Sequence, residues 1–204
     1  MTRRAALGVL ASIPLAAAFA PLPEGLDAPA VEAASNAAAD ALASTSPYAP
    51  KFFTAREWET VRVLADLVIP RDERSGSATD AGAPEFMDFI LDAYPDQQTA
   101  MRGGLAWLDS ESVRRYGTRF VATDGPSRRR LLDDIAWPAR ARPEMSQGVA
   151  FFSRFRDLTA AGFWSSRIGV ADIGYKGNTG MAQWTGCPPE ALQKLGVSYG
   201  AEGG

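Results

Sequence analysis

The fold is decided by residues 53–70, which read FTAREWETVRVLADLVIP. Thr54 and Glu57 stand at the two positions of a capping box, in which each side chain accepts from the other residue's backbone amide. Apolar residues then recur at helical spacing along one face: Trp58, Val61, Leu64, Ala65 and Val68. Pro70 ends the helix, because the residue before a proline avoids the helical region. The stretch therefore predicts an amphipathic helix with one buried face.

Further helices are predicted at residues 84–94, 95–116, 126–136 and 145–166. Pro84 suits a first helical turn and Pro95 stops that helix. Its expected inward residues are Phe86, Phe89, Ile90 and Ala93. In the next helix Val113 is expected to face inward, and Gly117 is a suitable C-cap. Because no stretch alternates with period two, we predict an all-α fold, with a compact domain of about five helices.

The composition excludes several classes of function. Among 204 residues there is no histidine and a single cysteine, Cys187. Without histidine a Ser-His-Asp or Cys-His arrangement cannot be built, and most zinc, copper and haem sites are excluded. The net charge of −3 lacks the basic excess that nucleic-acid binding requires. We therefore expect no nucleic-acid partner and no metal, cofactor or catalytic site of the kinds that need histidine or several cysteines, whereas an enzyme could still work through carboxylates, Lys or Tyr.

The first twenty residues have the pattern of an export signal. Arg3 and Arg4 precede an Ala-rich apolar run at residues 5–20, which ends in small residues. Adjacent arginines followed by Leu7 favour the twin-arginine route, by which a chain crosses the membrane already folded. The run is too short and too Ala-rich for a good membrane span, and an uncleaved anchor or a buried N-terminal helix is the alternative. We predict a twin-arginine signal peptide at residues 1–20 and a periplasmic location.

Composition divides the remaining chain into three parts. Residues 21–50 are rich in Ala, Pro and Ser, which predicts a linker with at most a transient helix, because little apolar area can be buried there. The helical domain is predicted at residues 51–168. Residues 169–204 are interrupted repeatedly by Gly and Pro, which predicts an extended interface tail with one short helix at residues 189–195.

Several polar clusters favour a structural interpretation over a chemical one. The carboxylates around the loop after the first helix match no calcium-binding spacing: Asp66, Asp72, Glu73 and Asp80. Asp133 and Asp134 are adjacent on a helix and so point in different directions. The arginines at residues 128–130 are interpreted as a solvated face, with an acidic partner surface as the alternative. The glycine-rich residues 174–180 lack the spacing and context of a phosphate loop.

Aromatic residues at the end of the domain and in the tail are candidate partner contacts. Trp164, Tyr175 and Trp184 lie in or next to the Gly-rich stretch, and Trp and Tyr are favoured anchors at protein interfaces. The alternative is that these rings close the chain's own core. Cys187 is an odd cysteine in an exported chain, which indicates a free thiol or a bridge to another chain. We predict an intersubunit disulfide, with a small buried cysteine as the alternative.

Five segments, in this order, carry a resemblance to a known family: FTARE at 53–57, LADLVIPRD at 64–72, AGAPEFMD at 81–88, GLAWLD at 104–109 and GYKGN at 174–178. Together with the export signal they resemble gluconate 2-dehydrogenase subunit 3, the small subunit of membrane-associated, flavin-dependent sugar and sugar-acid dehydrogenases. The resemblance covers residues 52–180.

The resemblance implies a role inside a complex. In such complexes a large FAD-containing subunit of the glucose–methanol–choline type oxidises the sugar, and a multihaem cytochrome c subunit often passes the electrons onward. The small subunit binds no cofactor, supports the large subunit and carries the twin-arginine signal for both, so that it touches the membrane only through the complex. Cys187 would bridge to the large subunit. The family pattern supplies no catalytic residue.

Two other functions are compatible with the same observations. The first is a stand-alone periplasmic binding or scaffold protein, and the second, less favoured, is an enzyme that works with carboxylates alone. A subunit is expected to be poorly soluble or unstable without its partner, whereas a stand-alone protein is expected to be stable by itself.

Overall fold

The computed structural model describes residues 26–175 and 186–199, and within those residues it contains helices and no strand. In chain order the α-helices of these ranges are α1 (Ala28–Ala43), α2 (Ala55–Val68), α3 (Ala83–Ala93), α4 (Gln98–Tyr116), α5 (Gly125–Asp133), α6 (Ser146–Trp164), α7 (Arg167–Asp172) and α8 (Pro189–Leu195). Short 3-10 turns lie at Pro95–Gln97, Phe120–Ala122 and Pro143–Met145. The all-α prediction is confirmed.

Helix α2 begins and ends where the sequence predicts. Thr54 Oγ1 accepts from the amide of Glu57 at 3.3 Å, and Glu57 Oε2 accepts from the amide of Thr54 at 2.8 Å, which completes the capping box. The inward face buries Val61, Leu64 and Ala65 completely. This burial, more than intrinsic helix propensity, stabilises a helix of 14 residues.

Helices α3 and α6 form the centre of the domain. Helix α3 packs against α1, α2 and α6, and α6 also packs against α4 and α7. The largest fully buried side chains on this pair include Phe86 of α3 with Phe155 and Phe163 of α6. Both helices are therefore surrounded by other elements, and their buried rings supply much of the apolar area that stabilises the fold.

Helix α1 differs from the sequence prediction. The sequence places its residues in a linker with a transient helix, but α1 packs against α3 and α6 and buries Ala34 and Ala38. Asp27 caps it by accepting from the amide of Ala30 at 2.9 Å. Alanines bury little area each, which is why composition alone suggested a linker. Their small size lets the helix lie close to α3, so shape complementarity takes the place of large side chains.

The inward face of α3 also differs from the prediction. Phe86 and Ile90 are buried as expected, whereas Phe89 is only partly buried and Ala93 is exposed. Glu85 and Asp88, which the sequence pattern did not place inside, are buried. A search for apolar periodicity cannot find such residues, because it assigns every carboxylate to solvent.

The structure also corrects the predicted orientation of one residue and the predicted end of the helical domain. Val113 of α4 is 47% exposed, so its predicted inward position is wrong. Residues 169–172, predicted to begin the extended tail, belong to α7, which Ser166 caps by accepting from the amide of Gly169 at 3.1 Å. Of the described residues, 26–174 belong to one compact unit, and Tyr175 with residues 186–199 belongs to a second. The short helix predicted at residues 189–195 is α8.

Candidate functional site

The carboxylates at the end of α2 and in the loop after it stabilise the conformation of that loop. Asp66 accepts from both the amide and the hydroxyl of Thr79, at 2.9 and 2.8 Å. Asp72 accepts from the amides of Arg74 and Ser75, each at 3.0 Å. Among the residues that the structure describes, no group of three or more acidic or thiol side chains is placed to hold a metal ion. These contacts support the structural interpretation of the loop.

Asp80 shows the same structural role. It accepts from the amide of Ser77 at 2.6 Å and pairs with Arg71 at 2.6 Å. Burial raises the pKa of this carboxyl, but the Ser77 hydrogen bonds and the Arg71 guanidinium lower it further, so the net shift is downward. A carboxylate that is ionised and already paired is a poor general base.

The other charged clusters are also occupied by local contacts. Asp134 pairs with Arg115 at 2.6 Å, while its neighbour Asp133 is exposed, so the two carboxylates share no site. In the run at residues 128–130, Arg128 donates to the carbonyls of Thr123 and Val121 at 2.7 and 3.0 Å. Only part of that run is therefore a solvated face.

A cavity of about 490 Å³ lies between the loop after α2 and helix α7. Its lining residues are Arg74, Ser75, Gly76, Ile168, Ala171 and Asp172. Arg74 donates to the backbone carbonyl of Asp172 at 2.9 Å and lies 3.9 Å from the carboxylate of that residue. The contact joins α7 to the loop.

A shallow cleft of about 320 Å³ separates α2 from α4. Arg102 donates to both carboxylate oxygens of Glu57, at 3.0 and 2.9 Å, and to the carbonyl of Phe52 at 2.7 Å. Across the cleft Arg56 pairs with Asp109 at 2.9 Å. Each of these charges has a partner of opposite sign, so the cleft supplies hydrogen-bonding groups but no side chain poised to transfer a proton.

The predicted partner contacts have different surroundings. Trp164 is half-buried at the end of α6, where its ring meets Phe163 edge-on at 4.9 Å and 88°. Tyr175 is 55% exposed. Trp184, together with residues 176–180 of the glycine-rich stretch and with Arg3 and Arg4, lies outside the described residues.

Cys187 lies in a turn that other residues of the C-terminal unit define. Its thiol is free and exposed, and its amide donates to the hydroxyl of Tyr199 at 2.5 Å. Gly186 adopts a left-handed φ of 91°, and the ring of Tyr199 lies against it. Leu195 and Val197, which lie between this turn and Tyr199 in the sequence, are exposed. The unit thus presents a thiol and several apolar side chains to solvent.

Asp88 is one of two buried carboxylates on α3 that sequence reasoning missed. It is fully buried on α3 and binds the segment at residues 44–53, here called the strap, which joins α1 to the N-cap of α2. Oδ2 accepts from the Tyr48 hydroxyl and the Lys51 amide, both at 2.8 Å. Oδ1 accepts from the amides of Phe52 and Phe53 at 3.0 and 3.1 Å. A carboxylate inside the apolar run of α3 is the sequence signal that identifies it.

The family model of gluconate 2-dehydrogenase subunit 3 matches residues 55–181. The chain belongs to this family. The match begins at the first residue of α2 and includes Asp88, whereas the strap and α1 precede it. None of the curated proteins and none of the solved structures matches the chain. The resemblance seen in the sequence is confirmed, and membership of the subunit 3 family indicates an accessory subunit of a dehydrogenase complex. Within the described residues, no helix is long and apolar enough to span a membrane.

Proposed function

We propose that this chain is the non-catalytic small subunit of a periplasmic sugar or glycoside dehydrogenase complex, and that it stabilises the FAD-containing catalytic subunit and escorts it through export. The observation that carries the proposal is the family match over residues 55–181. Substrate choice then lies in the pocket of the large subunit, which is of the glucose–methanol–choline type, and a multihaem cytochrome c subunit receives the electrons.

The chemistry of the chain supports a role without catalysis. The sequence has no histidine, and four carboxylates in or near the α2–α4 cleft and the loop after α2 are engaged by arginines, amides or hydroxyls: Glu57, Asp66, Asp80 and Asp109. A general base needs a group that is free to accept the substrate's proton. An enzyme that works with carboxylates alone is the less favoured function for this reason.

The C-terminal unit supports a docking role toward the large subunit. An apolar side chain in water gains free energy when a partner covers it, and Tyr175, Leu195 and Val197 are all more than half exposed. We assign Tyr175, Trp184 and Cys187 to this contact, and we assign Trp164, at the end of α6, to the contact that the helical domain makes with the same partner. The exposed thiol of Cys187 is accessible to a cysteine of the large subunit, so a disulfide can fix the contact in the oxidising periplasm.

Co-expression with and without a flavoprotein partner tests the proposal. The accessory role predicts that the chain co-purifies with an FAD-containing subunit, that the chain alone has no flavin absorbance and no dehydrogenase activity, and that the partner loses activity or solubility without it. A stand-alone binding or scaffold protein is the second candidate, which the separate C-terminal unit and its exposed side chains favour. That candidate predicts a stable monomer, with no effect on any flavoprotein.

A further inference from the structure

Glu85 is a buried acid that has an unsatisfied oxygen. It lies in the first turn of α3, is 5% exposed, and its Oε2 has no hydrogen-bond partner. An ionised carboxylate is far more costly to bury without partners than a protonated one. Burial therefore raises the pKa of Glu85 above its ordinary value, with the charge of Asp88 raising it further and the backbone amide of Glu85 and Arg62 opposing.

The charged groups around Glu85 leave it poorly compensated. Arg62 on α2 acts on it electrostatically but is exposed, and the ion pairs of the described residues include none to Glu85. The attraction of a solvated cation is screened. Asp88, one turn along α3, is the other charged group that acts on it, and its charge is of like sign.

Three neighbouring elements contact this end of α3 through uncharged groups. Ala38 and Leu42 of α1 lie over Gly82, just before the helix. Gly162 of α6 lies against Phe86. The strap contributes the phenol of Tyr48, which donates to Asp88.

The charge of Glu85 acts on Asp88, and Asp88 accepts the hydrogen bonds that hold the strap. Each oxygen of Asp88 accepts two hydrogen bonds, so a proton there would displace a strap donor. An ionised Glu85 places a second negative charge three residues away, and like charges at that helical spacing repel. Tyr48 responds to the same charges: burial first, then its bond to Asp88 and the charges of Asp88, Glu85 and Asp92, raise the pKa of its phenol.

We propose that Glu85 is a proton-binding residue that controls how firmly the strap is held on α3. When Glu85 is neutral, Asp88 is the single negative charge beneath the strap and binds its three amides. When Glu85 ionises, the added charge and its missing partner favour an opened strap, in which water reaches both carboxylates. The inference is independent of the proposed function, because it concerns only contacts within this domain.

Its pH dependence has a defined direction. The pKa of Glu85 is higher with the strap closed than with the strap open, where it returns toward the ordinary value of about 4.3. Closure is therefore fully favoured below that ordinary value and weakens as the pH rises through the raised value. The equilibrium constant for closure falls about tenfold for each unit by which closure raises the pKa.

Amide hydrogen exchange on the full chain tests the proposal. Exchange at Lys51, Phe52 and Phe53 is followed from pH 4.5 to 8.5, and each rate is divided by the intrinsic chemical rate at that pH. Protection of these three amides is expected to fall as the pH rises, while Leu64 and Phe155 keep theirs. Glu85→Gln carries no titrating proton and is expected to remove the pH dependence.

A matched control separates this effect from net charge. Glu32 lies on the exposed face of α1, and Glu32→Gln removes the same charge and is expected to leave the pH dependence intact. The proposal is overturned if Glu85→Gln retains the wild-type pH dependence, or if protection of Leu64 and Phe155 falls in parallel with that of the strap. If Glu85→Gln does not fold, the wild-type profile still decides: constant protection of the strap amides over this range also overturns it.

Discussion

Gly104 of α4 and Phe151 of α6 meet with no room for another atom: a Cβ at position 104 would overlap the phenyl ring. A second contact of the same kind lies between the same two helices: a Cβ on Gly148 of α6 would overlap the indole of Trp107 of α4. Each helix thus offers a glycine to an aromatic ring of the other. The two contacts fix both the separation and the axial register of α4 and α6, because each ring fits only where the facing residue has no Cβ.

Replacing Gly104 by alanine is expected to destabilise the domain by about 1–3 kcal/mol, since the added methyl forces α4 and α6 apart in a well-packed core. Urea unfolding followed by circular dichroism measures the change. Gly103→Ala is the matched control, because nothing lies within 4 Å of a Cβ there. Alanine at that helical position is expected to stabilise the domain by up to about 1 kcal/mol. Equal effects of the two substitutions would show that the close contact is not energetically important.

Replacing Asp88 by alanine is expected to lower the free energy of unfolding by about 3–5 kcal/mol, because three strap amides and a partly buried phenol lose their acceptor. Thermal unfolding monitored by calorimetry is the measurement. Asp92→Ala, on the same helix but exposed, is expected to change stability by less than about 0.5 kcal/mol. A small effect at Asp88 would mean that water replaces its bonds without cost.

Glu111 is expected to contribute to acid sensitivity. Hydrogen bonds from Arg114, opposed by burial and reinforced by Arg115, lower the pKa of Glu111 to about 2. Its stabilisation is therefore present above the ordinary carboxyl pKa of about 4.3 and is lost as the pH falls from there toward 2. Because the Arg114 side chain is 66% exposed, we expect about 1–2 kcal/mol, less than the full shift would give.

Glu111→Gln is expected to lower stability at pH 7 by that amount and to reduce the slope of stability against pH between 4 and 2. Urea unfolding at several pH values measures both. Glu144, which pairs with Arg142 at 3.2 Å with both side chains more than half exposed, provides the control. Glu144→Gln is expected to leave the profile unchanged, and an identical loss for the two variants would contradict the role of Glu111.

Cys187 is expected to form a disulfide with the large subunit after export. In the purified complex, treated with a thiol-blocking reagent at lysis, non-reducing electrophoresis is expected to show a band at the summed mass of the two subunits. Reductant or Cys187→Ser is expected to convert it to separate bands. A band at this chain's own mass without reductant would rule the bridge out.

Replacing Arg3 and Arg4 by lysine is expected to stop export of this chain and of its flavoprotein partner, because the partner would travel folded, with its flavin bound, on this chain's signal. Cell fractionation with immunoblotting of both proteins is the measurement. A variant with Lys51→Arg, which keeps the paired arginines, should export normally. If the partner reaches the periplasm while this chain does not, the escort role is wrong.

Much of the helical domain could be predicted because its signals are local. The capping box at Thr54, the stop at Pro70 and the C-cap at Gly117, which has a left-handed φ of 75°, each act within a few residues. Helix α1 escaped prediction because its stability depends on the shape of α3, a surface that does not exist until the chain folds. Between Val31 and Leu42 the sequence of α1 contains no large apolar residue to signal burial.

The candidate site was less predictable for the same reason. The acidic residues near Asp66 are interpreted as structural because their spacing matches no calcium-binding loop, and the hydrogen bonds from Thr79 to Asp66 agree with that interpretation. Asp88 and Glu85 were missed because burial of a carboxylate depends on which distant segment covers it. The donors to Asp88 come from residues 35–40 positions earlier in the chain, and no periodic pattern encodes such a pairing.

Three of the four hydrogen bonds that Asp88 accepts from the strap come from backbone amides, so Tyr48 is the one strap residue that it binds through a side chain. Lys51 is exposed, so natural variation at position 51 should be almost unrestricted, with proline as the one residue barred because it has no amide hydrogen. Phe52 and Phe53 are constrained separately, by the core that covers their rings. Among related chains, an aspartate at position 88 should therefore persist while position 51 diverges, and an alignment scored on side-chain similarity would overlook that the two positions are bound together.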